Sequence, residues 1–109
     1  MTEDIIDQKA EEQEVYYSVL DLLCDRSRWT KGIYAKDCNG LQVHPCDDKA
    51  IAWCLSGALT RIYPLGMTNE DMVVIYRWLQ ENCGHKSIGT FNDSATHNQI
   101  LKFLSETGI

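Results

Sequence analysis

The chain has 109 residues, of which 44% are hydrophobic and 24% are charged. This composition fits one globular core and excludes a large multidomain enzyme, a disordered chain and a fibrous repeat. Because no apolar run approaches 18 residues and the N-terminus is acidic, we expect no membrane span, no signal peptide and a cytoplasmic protein.

The negative charge is concentrated in residues 1–14, an N-terminal arm or helix extension ahead of one predicted helical domain over residues 15–109. The arm has six carboxylates against Lys9 alone, which accounts for −5 of the net charge of −6. The nearly neutral remainder argues against direct nucleic-acid binding. The arm is interpreted either as a solubilising helix start or as a docking surface for a basic protein partner. The residues of that surface are Glu3, Asp4, Asp7, Glu11, Glu12 and Glu14.

The spacing of apolar residues changes along the first half of the chain. Apolar residues spaced by three and four, including Val15, Val19 and Leu22, predict a first helix from about residue 10 to residue 26. A small basic cluster at residues 26–36 is interpreted as a solvated helix end and loop. Segments 33–35 and 41–43 flank an Asp37–Gly40 turn signal, which predicts a short, irregular hairpin.

The second half of the chain is predicted to be helical. Apolar spacing over residues 51–62 predicts a central second helix with Asp47 or Asp48 as its N-cap. Thr68 and Gly84 bound a third helix, and residues 85–95 read as a loop. A fourth helix opens with a capping box at Thr96 and ends at Gly108. The predicted fold is therefore mainly α, with about four helices packed on a central apolar helix pair and one short β-hairpin.

Five cysteines without a C-x-x-C pair predict free thiols rather than a disulfide framework. Cys24 and Cys54 fall on apolar stripes of predicted helices, so both are expected to be buried and unreactive. A thiol nucleophile is a possible chemistry, with Cys54 attacking a carbonyl and Asn92 or Asp93 orienting a histidine base. The candidate bases are His44, His85 and His97. Against it, Cys54 is predicted two turns inside its helix, far from an activating N-terminus.

Metal binding is the second chemistry considered. His44-x-Cys46 and Cys83-x-His85 each place two soft ligands on a loop, and Cys38 is near in sequence. These spacings differ from the C-x-x-C and H-x-x-x-H patterns typical of structural zinc. No metal and no cofactor is therefore predicted.

Three sequence blocks carry a resemblance. The first runs from Trp29 to Gly40 with the patterns W-x-x-G and A-x-D-x-x-G, the second is W-C-L-x-G-A-L from Trp53, and the third is Asn92-Asp93 with Thr96. In this order they resemble an uncharacterised family of short bacterial and phage proteins, a domain of unknown function. The resemblance spans about residues 18–107, implies no activity, and implies a bacterial or phage source and, for a phage protein, the host cytoplasm.

The residues themselves favour a non-catalytic binding or interaction module. Its cleft is expected between the hairpin, the second helix and the Asn92 loop, where polar groups next to two tryptophans have the composition of a small-molecule or peptide pocket. The candidate ligand-binding residues are Trp29, Asp37, Trp53, Asn92 and Asp93. A plain Asx-turn is the alternative for Asn92-Asp93. Two other functions stay open: a phage or bacterial regulatory antagonist that docks a partner through its acidic first helix, and a small Cys-dependent hydrolase.

Overall fold

The structure, a computed structural model, describes residues 15–84 and 87–109. The acidic residues of the arm, from Glu3 to Glu14, and His85 lie outside the described residues. The described chain is mainly α with one short antiparallel β-hairpin, as predicted. Its elements are α1 (Val19–Leu23), a 3-10 turn (Arg26–Arg28), β1 (Ala35–Lys36), β2 (Ala52–Trp53), α2 (Leu55–Ile62), α3 (Asn69–Cys83), α4 (Ile88–Ser94) and α5 (His97–Thr107).

The first helix is shorter than its apolar pattern suggests. It begins after Ser18, whose hydroxyl accepts a hydrogen bond from the backbone N–H of Asp21 at 3.0 Å. Residues 15–17 precede this cap and are not helical, and Val15 is 67% exposed. The predicted helix is therefore wrong at its start, and it ends at Leu23 rather than at residue 26. Cys24 is the C-cap and is exposed, which corrects the prediction that its thiol is buried.

The hairpin pairs strands more distant in sequence than the predicted ones. The predicted turn forms, because the N–H of Gly40 donates to the carbonyl of Asp37 at 3.0 Å. Segment 41–43 contributes a single bridge, between Gln42 and Lys36, and the two-residue ladder instead joins β1 to β2. Pro45 has no N–H with which to extend the nearer pairing, whereas β2 is fully buried and gains packing from the ladder.

The start of α2 corrects the predicted cap. Residues 52–53 pair with β1, so the helix begins at Leu55 and Cys54 is its N-cap, with Sγ accepting from the N–H of Gly57 at 3.3 Å. Asp47, one of the two predicted caps, closes a local turn by accepting from the N–H of Lys49 at 2.8 Å. The apolar stripe that predicted one helix therefore covers a strand and a helix.

The caps of the last two predicted helices are confirmed. Thr68 and Gly84 bound α3, and the capping box of Thr96 and Gln99 opens α5. The segment predicted as a loop contains α4, which is capped by the Ser87 hydroxyl. None of the helices in the described ranges is long and apolar enough to cross a membrane.

The helices share one apolar core. α2 packs against α1 and α4, while α5 packs against α1 and α3. The largest fully buried apolar side chains among the described residues come from α1, α2, α3 and α5. They include Leu22, Leu23, Leu55, Ile75, Leu79, Ile100, Phe103 and Leu104. This core sets the start of α2 and the end of α4 beside the segment that follows the 3-10 turn.

Candidate ligand-binding cleft

Asn92 joins three parts of the fold from a fully buried position on α4. Its Oδ1 accepts hydrogen bonds from Nε1 of Trp29 at 2.7 Å and from the backbone N–H of Leu55 at 2.9 Å. Its Nδ2 donates to the carbonyl of Thr30 and to Oδ1 of Asp93, both at 3.1 Å. All four hydrogen-bonding positions of the amide are filled, so Asn92 fixes the 29–32 segment against the start of α2 and the end of α4.

Asp93 continues the same network at the surface. Its Oδ1 accepts from Nδ2 of Asn92 and from the backbone N–H of Gly32 at 3.1 Å. Within residues 15–84 and 87–109, Oδ2 of Asp93 accepts no hydrogen bond and the carboxylate forms no ion pair. One oxygen of this exposed carboxylate is therefore available to a ligand.

A cleft of about 520 Å³ opens beside these two residues. The described residues that line it come from the segment before β1, from the segment that follows the hairpin turn, from the start of α2 and from α4 with its cap. They are Gly32, Ile33, Tyr34, Gln42, Cys54, Ser56, Ser87, Gly89, Asn92 and Asp93. Asp93 is the only Asp, Glu, Lys or Arg in this set, so the described lining is polar with one negative charge.

Two glycines shape the cleft in opposite ways. A Cβ on Gly57 would lie 1.9 Å from the carbonyl oxygen of Tyr34. Only glycine therefore lets α2 pack this closely against the backbone that precedes β1. The same carbonyl accepts from the N–H of Cys54 at 3.1 Å, which closes one wall. A Cβ on Gly89, by contrast, has no atom of the described residues within 4 Å apart from those of its own helix turn. Gly89 therefore leaves space that a larger side chain would fill.

Two of the five predicted site residues, Asn92 and Asp93, line the cleft. Trp29 is half-buried behind Asn92, with its ring 5.7 Å from that of His97. Trp29 is not among the lining residues, but its hydrogen bond holds the Asn92 side chain in place at the cleft.

The other two predicted residues lie elsewhere. Trp53 is 2% exposed and donates through Nε1 to the carbonyl of Pro45 at 2.8 Å. Asp37 stabilises the hairpin turn, since its Oδ1 accepts from the N–H groups of Asn39 and Leu41 at 2.9 Å. Neither side chain lines the cleft, and each has a structural role of its own.

Sequence reasoning missed several polar lining residues. Ser56 and Ser87 come from helix starts that were predicted at the wrong place or not at all. A serine at position 87 can cap a helix by accepting a hydrogen bond from the N–H of Thr90, three residues later. This capping pattern is the sequence feature that could have indicated Ser87. No local signal distinguishes Gln42 from an ordinary loop residue.

Cys54 lies in the cleft wall, where it is the N-cap of α2. Burial is the main reason that its pKa is raised above the ordinary value, and the charge of Asp93 adds to it, against the lowering effect of the N–H groups of Gly57 and Ser56. Its position at a helix start corrects the prediction that it lies two turns inside α2, but the thiol is not activated.

The two described candidate bases have other partners. Nδ1 of His44 accepts from the N–H of Cys46 at 3.0 Å, and Nε2 of His97 donates to the carbonyl of Leu23 at 2.7 Å. In the described chain neither ring is hydrogen-bonded to Cys54, so the nucleophile–base pair is not assembled from these residues. His85, the third candidate, lies outside the described ranges.

The possible metal ligands are also separate where the structure describes them. Sγ of Cys46 donates to the carbonyl of Thr60 at 3.7 Å. No group of three or more His, Cys, Asp or Glu side chains within residues 15–84 and 87–109 is arranged to hold a metal ion.

Fold and site together define a small, mainly α domain with a polar cleft at the junction of α2, α4 and the 29–34 segment. Residues 8–108 match the model of the family of unknown function DUF6197, and the chain belongs to that family. The predicted membership of a domain of unknown function is thus confirmed. No curated protein matches the chain, and no solved structure matches it. The sequence blocks that carried the resemblance are those joined by Asn92.

Proposed function

We propose that this protein is a non-catalytic binding module whose cleft takes a small polar molecule with an amine or other cationic group. The observation that carries the proposal is the Asp93 carboxylate. It is the single charged side chain among the described lining residues, and its Oδ2 has no partner among them. A cation at this oxygen forms a charge-assisted hydrogen bond without displacing any bond of the fold.

The rest of the lining supports a polar ligand. The hydroxyls of Ser56 and Ser87 and the amide of Gln42 offer both donors and acceptors around the carboxylate. The volume of the cleft is within the range of small-molecule sites. Asn92 and Gly32 fix the carboxylate in place, so a ligand meets a preorganised group.

Binding rather than catalysis is favoured by the state of Cys54. Its raised pKa keeps the thiol protonated at neutral pH, and a thiol in that form is a poor nucleophile. No described base contacts it. The described lining of the cleft therefore offers polar groups that can bind a ligand, but no activated nucleophile.

A cytoplasmic location is part of this proposal. All five cysteines are free, and the exposed thiols of Cys24, Cys38 and Cys46 are chemically stable in a reducing compartment.

The experiment is ligand-observed NMR of the full chain with a panel of small primary amines and guanidinium compounds, beside size-matched carboxylates. We expect saturable binding of at least one cation and none of the carboxylates. Asp93→Asn should remove binding, because it removes the charge while keeping the Oδ1 acceptor for Gly32 and Asn92.

Gly89 supplies a steric test with a matched control. Gly89→Leu fills open space in the cleft, where its Cβ meets no described atom outside its own helix turn, and should block the cation, whereas Gly89→Ala should still bind it. Thermal unfolding of each variant checks the fold. Equal binding of carboxylates, or unchanged binding in both Asp93→Asn and Gly89→Leu, would overturn the proposal.

A further inference from the structure

A second cavity, of about 390 Å³, lies next to the first and shares the 29–32 segment with it. Residues 26–31 form one side and residues 95–98, at the start of α5, form the other. None of the described residues that line it is acidic, and two of them, Arg26 and Lys31, are cationic. Its charge is therefore opposite to that of the cleft beside Asp93.

These two cations lack carboxylate partners in the described ranges. The ion pair found there joins Arg28 to Asp25, at 3.4 Å, and Nζ of Lys31 lies 5.2 Å from the centre of the Trp29 ring. The side chain of Arg26 makes no hydrogen bond or ion pair within residues 15–84 and 87–109. Two positive charges next to one cavity repel each other, so an anion between them is favoured.

Asp25 is the nearby carboxylate that has to be considered, since its charge interacts with His97. It accepts hydrogen bonds from the hydroxyl and the N–H of Ser27, at 2.8 and 2.9 Å, and it is paired with Arg28. These hydrogen bonds hold its pKa below the ordinary range. Because Asp25 is engaged by its own turn and does not line the cavity, Arg26 and Lys31 are not neutralised by it.

Other groups at the cavity are held in position. Nε2 of His97 is bonded to the carbonyl of Leu23 at 2.7 Å, and the Trp29 indole is bonded to Asn92. The capping box uses the N–H groups of Thr96 and Gln99 but not those of His97 and Asn98, which have no hydrogen-bond partner in the described chain. These two N–H groups add donors next to the cationic side chains.

We propose that this second cavity binds a small molecule through a phosphate group. A phosphomonoester dianion has three terminal oxygens, enough to meet the Arg26 guanidinium, the Lys31 ammonium and the free N–H groups together, whereas a carboxylate has two. The site is distinct from the cleft at Asp93, so it goes beyond the proposed cation-binding function and stands without it.

The test is a titration of the ¹⁵N-labelled full chain with methyl phosphate and with inorganic phosphate, at constant ionic strength, followed by amide chemical shifts. We expect saturable shifts at residues 96–98, at Lys31 and at the Trp29 indole. Arg26→Gln and Lys31→Gln should each weaken binding about tenfold, as expected for the loss of one charge-assisted contact. Lys102→Gln is the matched control, because it removes the same charge from α5 outside the cavity.

Three results would overturn the proposal. Equal weakening in Lys102→Gln, or shifts that rise linearly with phosphate, would mean general attraction of anions. Acetate binding as tightly as methyl phosphate would remove the assignment to phosphate. A short single-stranded oligonucleotide that binds far more tightly than methyl phosphate would assign these contacts to a nucleic-acid backbone.

Discussion

The indole N–H of Trp29 donates to Oδ1 of Asn92 across 2.7 Å and joins residues 63 positions apart in the chain. The same oxygen accepts from the first backbone N–H of α2, at Leu55. One buried amide thus sets the distance between the 29–32 segment, α2 and α4. Because the partners belong to three separate elements, their loss should affect the whole domain rather than one loop.

Asn92→Ala tests this role. The substitution leaves the N–H groups of Trp29 and Leu55 and the carbonyl of Thr30 without their partner, so we expect a loss of about 3 kcal/mol or more in the free energy of unfolding. Urea denaturation measures it. Asn98→Ala, at an exposed position on α5, should change the stability by less than about 0.5 kcal/mol. Comparable stability of the two variants would contradict the role of Asn92.

Gly57→Ala and Gly89→Ala form a second pair. The added methyl at Gly57 meets the Tyr34 carbonyl, and we expect a destabilisation of about 1–3 kcal/mol as the segment is pushed off α2. At Gly89, which lies within a helix, the methyl meets no described residue outside its own turn, so alanine should stabilise by about 0.5–1 kcal/mol. Thermal unfolding of both variants should give shifts of opposite sign. Shifts of the same sign would show that the contact between α2 and the Tyr34 carbonyl does not require glycine at position 57.

Thiol reactivity separates Cys54 from the other cysteines. At neutral pH we expect iodoacetamide to modify the exposed Cys24, Cys38 and Cys46 first and Cys54 last, because Cys54 is buried and its pKa is raised. Peptide mass spectrometry over time gives the order. Rapid labelling of Cys54 in the folded protein would reopen the hydrolase alternative.

The same raised pKa predicts a pH dependence of stability. The folded state keeps the Cys54 proton over a pH range in which the unfolded thiol has lost it. The contribution of Cys54 is therefore complete below the ordinary pKa of 9.0 and declines as the pH rises above that value towards the folded pKa. Urea unfolding between pH 7 and pH 10.5 should show a steeper decline for the natural protein than for Cys54→Ser. Parallel curves would be inconsistent with a buried, protonated thiol.

The acidic arm gives a further test. All described residues that line the cleft lie between Gly32 and Asp93, so removal of residues 1–14 should leave binding of a small amine unchanged. Ligand-observed NMR on the truncated and full chains compares the two. Loss of amine binding together with a retained fold would assign the arm a part in the cleft. The docking of a basic protein partner through the arm stays a prediction.

Local chemistry made the ends of α3 and α5 predictable. Thr68 and Thr96 each cap the backbone N–H three residues on, and Gly84 and Gly108 take the left-handed conformation that ends a helix. Every partner in these motifs is within four residues in the chain. Such signals can be recognised in sequence without knowledge of the fold.

The start of α2 and the existence of α4 depended on partners that are distant in sequence. Residues 52–53 fit a helical stripe, and only their pairing with β1 makes them a strand. α4 is seven residues long and contains Gly89, too short and irregular for a periodic pattern. Asn92 was identified as a candidate, but its four hydrogen bonds include partners 37, 62 and 63 residues away that no spacing rule reveals.

The segment from Trp29 to Gly32 has a consequence for two ligands at once. Trp29 and Lys31 face the cationic cavity, whereas Gly32 borders the cleft and is bonded to Asp93. A ligand that shifts this shared wall changes the free energy of occupying the neighbouring site. Thermodynamic reciprocity then requires the second ligand to alter the affinity for the first by the same factor. The binding of an amine in the cleft and of a phosphate in the cationic cavity would therefore be cooperative or antagonistic, depending on the direction in which residues 29–32 move.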